Sequence, residues 1–276
     1  MRERLPGMAS VGRVQAVFRR ACTLVLPGGE PLSLVLPEIG DGPLNVVVAS
    51  QAGLFDALSP GMPASLSAHR LAAGDVEVGL DTARIWEPRP DWQALRPRRQ
   101  AVATRLGELL ALASARAPDG SLLALLTDRP PGERRAAAIQ GRARQAAADL
   151  RAGWDGDEGR LRAGSGRLAG LGAGLTPAGD DFLAGLMLWA WLAHETPPDF
   201  CRAVVETAAP RTTQLAAAFL RAAARGECSA AWHGLLVTLA GLEEGALAGA
   251  VGSVLAYGQT SGADTLAGFL WLSECP

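Results

Sequence analysis

The chain contains no lysine, and all 26 of its basic residues are arginine. A P-loop nucleotide site needs a lysine to reach the phosphates, and pyridoxal-phosphate and other Schiff-base enzymes need one for their covalent link. The sequence therefore excludes these classes. We expect neither pyridoxal phosphate nor haem as a cofactor.

Cysteine and histidine are also scarce, with four and three residues. No two cysteines form a CxxC pair, and none has zinc-ligand spacing to a histidine, so we expect no zinc site. The cysteines are predicted to be small core residues. A hydrolase using Cys201 or Cys228 as its nucleophile is an alternative that the sequence leaves open.

Long apolar and long basic runs are missing too. The longest apolar run, residues 182–193, is too short to span a bilayer. The formal net charge of −2 and the lack of a basic run argue against nucleic acid as a partner. The first residues lack the apolar core of a secretory signal, so we expect a cytoplasmic protein without a membrane partner.

The apolar pattern changes once along the chain. Short apolar runs with turn residues between them predict a β-rich domain over residues 1–90, a small barrel or sandwich. The expected strands cover residues 14–17, 22–26, 32–36, 44–48, 76–80 and 82–86. A proline-rich segment, 86–92, marks the boundary.

Beyond this segment the spacing of apolar residues is helical, so residues 91–276 are predicted to form a larger all-helical domain. The fold class is therefore α+β. A long alanine- and arginine-rich helix is expected over residues 132–154. Later helices are expected near residues 179–194, 198–209, 212–225, 229–240, 243–256 and 263–273.

The most informative stretch is residues 170–185, Gly-Leu-Gly-Ala-Gly-Leu-Thr-Pro-Ala-Gly-Asp-Asp-Phe-Leu-Ala-Gly. Three alternating glycines precede Thr176, a suitable N-cap, and Pro177, a suitable first helical residue. A glycine loop that leads into a helix N-terminus favours anion binding, because free N–H groups and the helix dipole meet there.

A weaker copy of this stretch lies downstream. Gly-x-Asp-x-Leu-Ala-Gly occurs at residues 179–185 and again at 262–268, each time after a threonine. We expect two helix N-termini that face one pocket. The alternative interpretation is an ordinary capped helix start, since Ser261-x-x-Asp264 is also a capping-box pattern.

These patterns define the candidate site. Asp180, Asp181 and Asp264 are the catalytic candidates, and Asp180 and Asp181 are also expected to hold a Mg²⁺ ion. Arg211, before another predicted helix start, is a candidate counter-ion. The anion-binding candidates are Gly172, Gly174, Leu175, Thr176, Gly179, Arg211, Thr213, Thr260, Ser261 and Gly262.

Residues 170–185 closely resemble the signature of the AllH-like subunit family of oxamate carbamoyltransferase, formerly a domain of unknown function. Residues 213–226 and 258–268 are similar to later blocks of that family, whereas Ala173 and Ala178 stand where its pattern has proline and serine. The resemblance implies a component of a multi-subunit enzyme of allantoin breakdown. That enzyme transfers a carbamoyl group between oxamate and phosphate, both small anions.

Two functions stay open at this point. The chain could carry the carbamoyltransferase site and bind phosphate, carbamoyl phosphate or oxamate at the glycine loop. It could also be a non-catalytic subunit, or an anion-binding module, that supports assembly or sensing.

Overall fold

The computed structural model describes residues 10–127 and 134–273. The chain divides into two compact units, Met1–Pro88 and Arg89–Pro276, which we describe separately. The first contains a sheet of seven strands. They are β1 (Ser10–Val17), β2 (Ala21–Val25), β3 (Pro31–Val35), β4 (Asn45–Val47), β5 (Pro63–Leu66), β6 (Arg70–Ala73) and β7 (Val76–Gly79).

The sheet is curled into a half-barrel. Its strand order is β4-β3-β2-β1-β5-β6-β7, and all neighbours are antiparallel except β3 and β4. The concave side packs around Phe55, which is fully buried with Cys22, Leu34 and Leu71. The predicted α+β class, with a β-rich first part and a larger helical part, is confirmed.

Five of the six predicted strands are present, but the strand predicted over residues 82–86 is wrong. That segment follows β7, the last strand in the sheet order, and forms no strand. Strands β5 and β6 were not predicted. Each has only four residues, and alanine, serine and proline, which rarely mark strands, make up much of both. Pairing with β1 places β5 in the sheet.

The second unit is helical, as predicted. Residues 92–114 form α1 (Trp92–Leu95), α2 (Arg99–Ala103) and α3 (Leu106–Ser114), and a 3₁₀ turn at Pro97 separates the first two. The start predicted at Gly132 for the long helix lies outside the described residues. The later helices are α4 (Arg134–Trp154), α5 (Glu158–Leu168), α6 (Ala178–Ala193), α7 (Pro197–Ala208), α8 (Gln214–Ala224), α9 (Ala230–Leu239), α10 (Leu247–Leu255) and α11 (Ser261–Trp271).

Helices α6 and α11 are the buried centre of this unit, and two glycines set their distance. A Cβ atom at Gly185 would lie 1.8 Å from the carbonyl oxygen of Thr265, and one at Gly268 would lie 1.8 Å from that of Phe182. The two contacts are equivalent, because each residue of α6 corresponds to the residue 83 positions later in α11 (268 − 185 = 83 and 265 − 182 = 83). The repeated motif is therefore a pair of matching surfaces in direct backbone contact.

The repeat extends to the helices that precede this pair. A Cβ at Gly179 would lie 2.1 Å from the carbonyl oxygen of Leu168 in α5, and one at Gly262 would lie 2.0 Å from that of Val254 in α10. Each copy of the motif thus packs its first glycine on the end of the preceding helix. The chain contains two related helix–loop–helix units, as expected of an internal duplication.

We predict that Gly185→Ala lowers the free energy of unfolding by about 3 kcal/mol, because the added methyl group forces the two backbones apart. Gly249→Ala is the matched control, since Gly249 lies in α10 and a Cβ there meets no atom within 4 Å. That control should be neutral or stabilising by up to about 1 kcal/mol. Urea denaturation measures both variants, and equal effects would contradict the close contact.

Candidate functional site

The glycine loop between α5 and α6 has the backbone that its sequence predicts. Gly170, Gly172 and Gly174 have φ angles of 69°, 128° and 92°. Residues with a Cβ rarely adopt such angles, so the three glycines allow the chain to double back within a few residues. At Gly174 a Cβ would meet open space, which places the tip of the loop at the surface.

Side chains of two neighbouring segments fix both ends of the loop. The Asp180 carboxylate accepts from the Gly170 N–H at 3.1 and 3.2 Å and from the Thr212 hydroxyl at 2.5 Å. The Thr213 hydroxyl donates to the carbonyl oxygen of Leu175 and also caps α8. The hydrogen bonds of Asp180 to Gly170 and of Thr213 to Leu175 therefore hold the two ends of the loop in place.

From residue 172 onward, the backbone N–H groups of the loop have no partner within the described residues. In the described parts of the chain, the five consecutive N–H groups of residues 172–176 donate to no protein acceptor. Unpaired backbone donors are uncommon unless water or a ligand satisfies them. The loop therefore offers a row of donors directly ahead of a helix N-terminus.

The predicted cap of α6 is wrong. The helix begins at Ala178 with Pro177 as N-cap, and no side chain caps it. The Thr176 hydroxyl instead lies 3.1 Å from the Ser261 hydroxyl. Because Ser261 is the first residue of α11, this hydrogen bond joins the N-terminal ends of the two central helices. The two ends therefore meet, and the pocket that both were expected to face stays a prediction.

The capping-box interpretation of the second motif is also wrong. Thr260, not Ser261, is the N-cap of α11, and it makes no side-chain cap hydrogen bond. Asp264 is fully buried and reaches another segment, where it accepts from the Leu122 N–H at 2.6 Å. Burial raises the pKa of Asp264 to about 7, although the Leu122 and Thr260 hydrogen bonds lower it.

Asp181 lies between the two helix starts. Burial raises its pKa well above the ordinary value, and the nearby charge of Asp264 raises it further, whereas the Ser261 and Thr176 hydroxyls lower it. Its Oδ2 atom is buried and has no hydrogen-bond partner in the described residues. A buried carboxyl group in this setting favours its protonated form. For Asp180, burial raises the pKa to about 6.

Sequence reasoning missed one member of this group, Tyr257. Burial raises its pKa to about 12, and the charge of Asp181 adds to the shift. The carbonyl group of Tyr257 accepts from the N–H of Gly262 at 3.1 Å, which fixes it before α11. The available signal was composition, since this is the only tyrosine of the chain and it precedes a repeated motif.

Three other candidates have structural partners. The N–H of Gly179 donates to Leu171 at 2.8 Å, and that of Gly262 donates to Tyr257, so neither donor is left for a ligand. Arg211 is exposed and donates to the carbonyl oxygen of Thr207. Its own carbonyl oxygen packs against Gly170, where a Cβ would lie 2.9 Å from it.

A cavity of about 650 Å³ opens beside the first half of the loop. Helix α4 and helix α5 form its other walls. Its lining residues are Ile139, Arg142, Gln145, Gly166, Arg167, Ala169, Gly170, Leu171 and Gly172. Among the described residues that line it, the polar side chains are two arginines and a glutamine, and none is acidic.

Two alternatives from the sequence can be compared with these positions. Burial raises the pKa of the Cys201 and Cys228 thiols, so neither is the low-pKa thiolate that a nucleophile requires. Among residues 10–127 and 134–273, no three His, Cys, Asp or Glu side chains form a group that could hold a metal ion. The Mg²⁺ ion expected at Asp180 and Asp181 stays a prediction.

No helix within residues 10–127 and 134–273 is long and apolar enough to cross a membrane.

The described chain is thus an α+β protein whose helical part is built on two related helix–loop–helix units. The family model described as oxamate carbamoyltransferase subunit AllH matches residues 168–272. The match runs from the last residue of α5 past the end of α11, so it contains the glycine loop and both copies of the motif.

This match confirms the resemblance inferred from residues 170–185. The family is that of a subunit, which implies further subunits in the enzyme. No solved structure matches the chain.

We predict that the protein becomes less stable as the pH rises from about 4 to about 7, because the buried acids then lose protons that the folded state holds more tightly than the unfolded state. An acid whose pKa is raised on folding binds more protons in the folded state, so stability is lost as pH rises through the folded value. Asp264→Asn should flatten this decline in the free energy of unfolding. Urea denaturation from pH 4.5 to 7.5 measures it, with Asp199→Asn, an exposed acid of α7, as control. An unchanged slope in Asp264→Asn would contradict the prediction.

Proposed function

We propose that this chain is a component of an oxamate carbamoyltransferase and that the loop amides of residues 172–176 bind a small anion, such as phosphate, carbamoyl phosphate or oxamate. The observation that carries the proposal is the row of five N–H groups that have no acceptor among residues 10–127 and 134–273. Donors of this kind at a helix N-terminus are a recurring anion site. The family match supplies the class of anion.

The arrangement of side chains supports a short, fixed loop rather than a flexible one. Asp180, Thr212 and Thr213 hold it at both ends, so its donors are oriented before any ligand arrives. Donors that are already in place lose little entropy on binding and can stabilise charge that develops in a transition state. Thr176 adds a hydroxyl group at the same end of the loop.

An anion beside carboxylates needs either a cation or a proton between the charges. In this proposal a proton on Asp181 fulfils that need, which fits the raised pKa of its buried carboxyl group. The same proton has a chemical use. Phosphate attacks the carbamoyl carbon of oxalurate, and the bond from that carbon to the oxamate nitrogen breaks. Asp181 gives its proton to the leaving nitrogen, and the proton that the attacking phosphate loses returns to Asp181, so carbamoyl phosphate and oxamate are the products.

Asp264 acts indirectly in this scheme. Its charge lies close enough to raise the pKa of Asp181, and its link to the Leu122 N–H fixes its position. Ser261 and Thr260 belong to the same helix start. They are positioning residues. They hold the acid pair and close the site at the start of α11.

We predict that Gly174→Ala weakens the binding of inorganic phosphate or oxamate about 10- to 100-fold, because a Cβ at this φ angle forces the loop amides to turn away. Gly61→Ala is the matched control. Gly61 has a φ of 93°, and a Cβ there also meets no atom within 4 Å, but it lies in the N-terminal sheet. Isothermal titration calorimetry on both variants measures the effect. Equal affinities would contradict loop binding.

We also predict that Asp181→Asn reduces phosphate-dependent breakdown of oxalurate at least about 100-fold when the chain is assayed with its partner subunits. An amide resembles a protonated acid in shape, so folding should be nearly unchanged. Asp199→Asn, on the exposed face of α7, is the control and should keep full activity. Full activity in Asp181→Asn would instead favour the non-catalytic supporting role.

A further inference from the structure

The cavity beside the loop is lined on one side by arginine side chains, and the anion site proposed at the loop amides makes no use of them. Arg142 and Gln145 are three residues apart on α4, so they share one face of the helix and both line the cavity. Arg167 faces them from α5. Arg142 has no ion-pair partner anywhere in the described residues.

The charges around this cavity do not cancel. Asp149 is the only acid of α4, and its buried side chain pairs with both Arg160, at 2.5 Å, and Arg167. Of the two arginines that line the cavity, Arg167 is paired with Asp149, whereas Arg142 has no ion-pair partner among the described residues. Asp149 therefore fixes Arg167 in place but does not neutralise the cavity.

Two apolar side chains, Ile139 and Leu171, also line the cavity, although the greater part of its lining is polar. Its volume of about 650 Å³ is far larger than one phosphate or oxamate ion. Small-molecule sites commonly measure about 300–1,000 Å³ and combine apolar walls with a few charged groups.

We propose that this cavity is a second binding site, which takes a small organic molecule with a phosphate group next to an apolar portion. Arg142 holds the phosphate together with Gln145, and Ile139 and Leu171 contact the apolar portion. This site goes beyond the carbamoyltransferase function, since it uses side chains of α4 and α5 rather than the amides at the tip of the loop. Gly172 lies at the boundary of both sites, so a ligand in the cavity also contacts the start of the loop.

The test uses the full chain and phenyl phosphate, which has both features of the inferred ligand. We expect it to bind more tightly than inorganic phosphate does, and Arg142→Ala to weaken it about 10- to 100-fold by calorimetry. Arg144→Ala is the matched control, because Arg144 is exposed on the same helix, two residues away, and does not line the cavity. It should change the affinity less than about twofold. Alanine at these exposed helical positions preserves folding.

The same titration separates this site from the loop. Gly174→Ala should leave phenyl phosphate binding intact and weaken only the small anions. If Gly174→Ala abolishes phenyl phosphate binding and Arg142→Ala does not, the cavity is not a site, whatever happens at the loop. Absence of phenyl phosphate binding to the unmodified protein, or equal losses in Arg142→Ala and Arg144→Ala, would also overturn the proposal.

Discussion

Backbone contact between α6 and α11 is the constraint on which the rest of the helical unit depends. Gly185 and Gly268 let each helix approach the other until a methyl group no longer fits between them. The N-terminal ends of the two helices also come together, and the Thr176–Ser261 hydrogen bond marks that place. Two helix dipoles therefore point their positive ends at one small region.

The acids in this region have different tasks because their surroundings differ. The carboxyl oxygens of Asp180 accept hydrogen bonds from Gly170 and Thr212, and these bonds hold the loop in its conformation. Asp264 holds the Leu122 N–H, and within the described residues the Oδ2 atoms of both Asp181 and Asp264 are buried without a hydrogen-bond partner. The helix dipoles favour negative charge here, whereas burial and mutual repulsion favour protons. This balance brings the pKa of Asp180 to about 6 and that of Asp264 to about 7, within the range in which enzymes work.

Much of this arrangement could be predicted from the sequence, for a physical reason. Positions with positive φ, and positions where two backbones touch, favour glycine over any residue with a side chain. The motif and its copy can therefore be recognised from their glycines in the sequence. The helices beyond residue 91 could also be predicted, from the periodic spacing of their apolar residues. The short strands β5 and β6 could not be predicted, because pairing with neighbouring strands rather than their own side chains determines them.

The side-chain partners could not be predicted. Thr176 looks like an N-cap from local spacing, but a residue 85 positions away takes its hydroxyl. The links from Asp180 to Thr212 and from Asp264 to Leu122 also join distant segments. Tyr257 and the cavity of Arg142 depend on how whole helices pack. Such contacts follow from tertiary structure, which local patterns do not encode.

The central claim is that the unpaired amides of residues 172–176 bind a small anion. Two-dimensional ¹H–¹⁵N NMR during titration with phosphate or oxamate tests it most directly, since each amide reports its own hydrogen bond. The account predicts saturable downfield proton shifts for the amides of residues 172–176, at one common dissociation constant. Unchanged positions for these amides at saturating anion, while amides elsewhere shift, would contradict it.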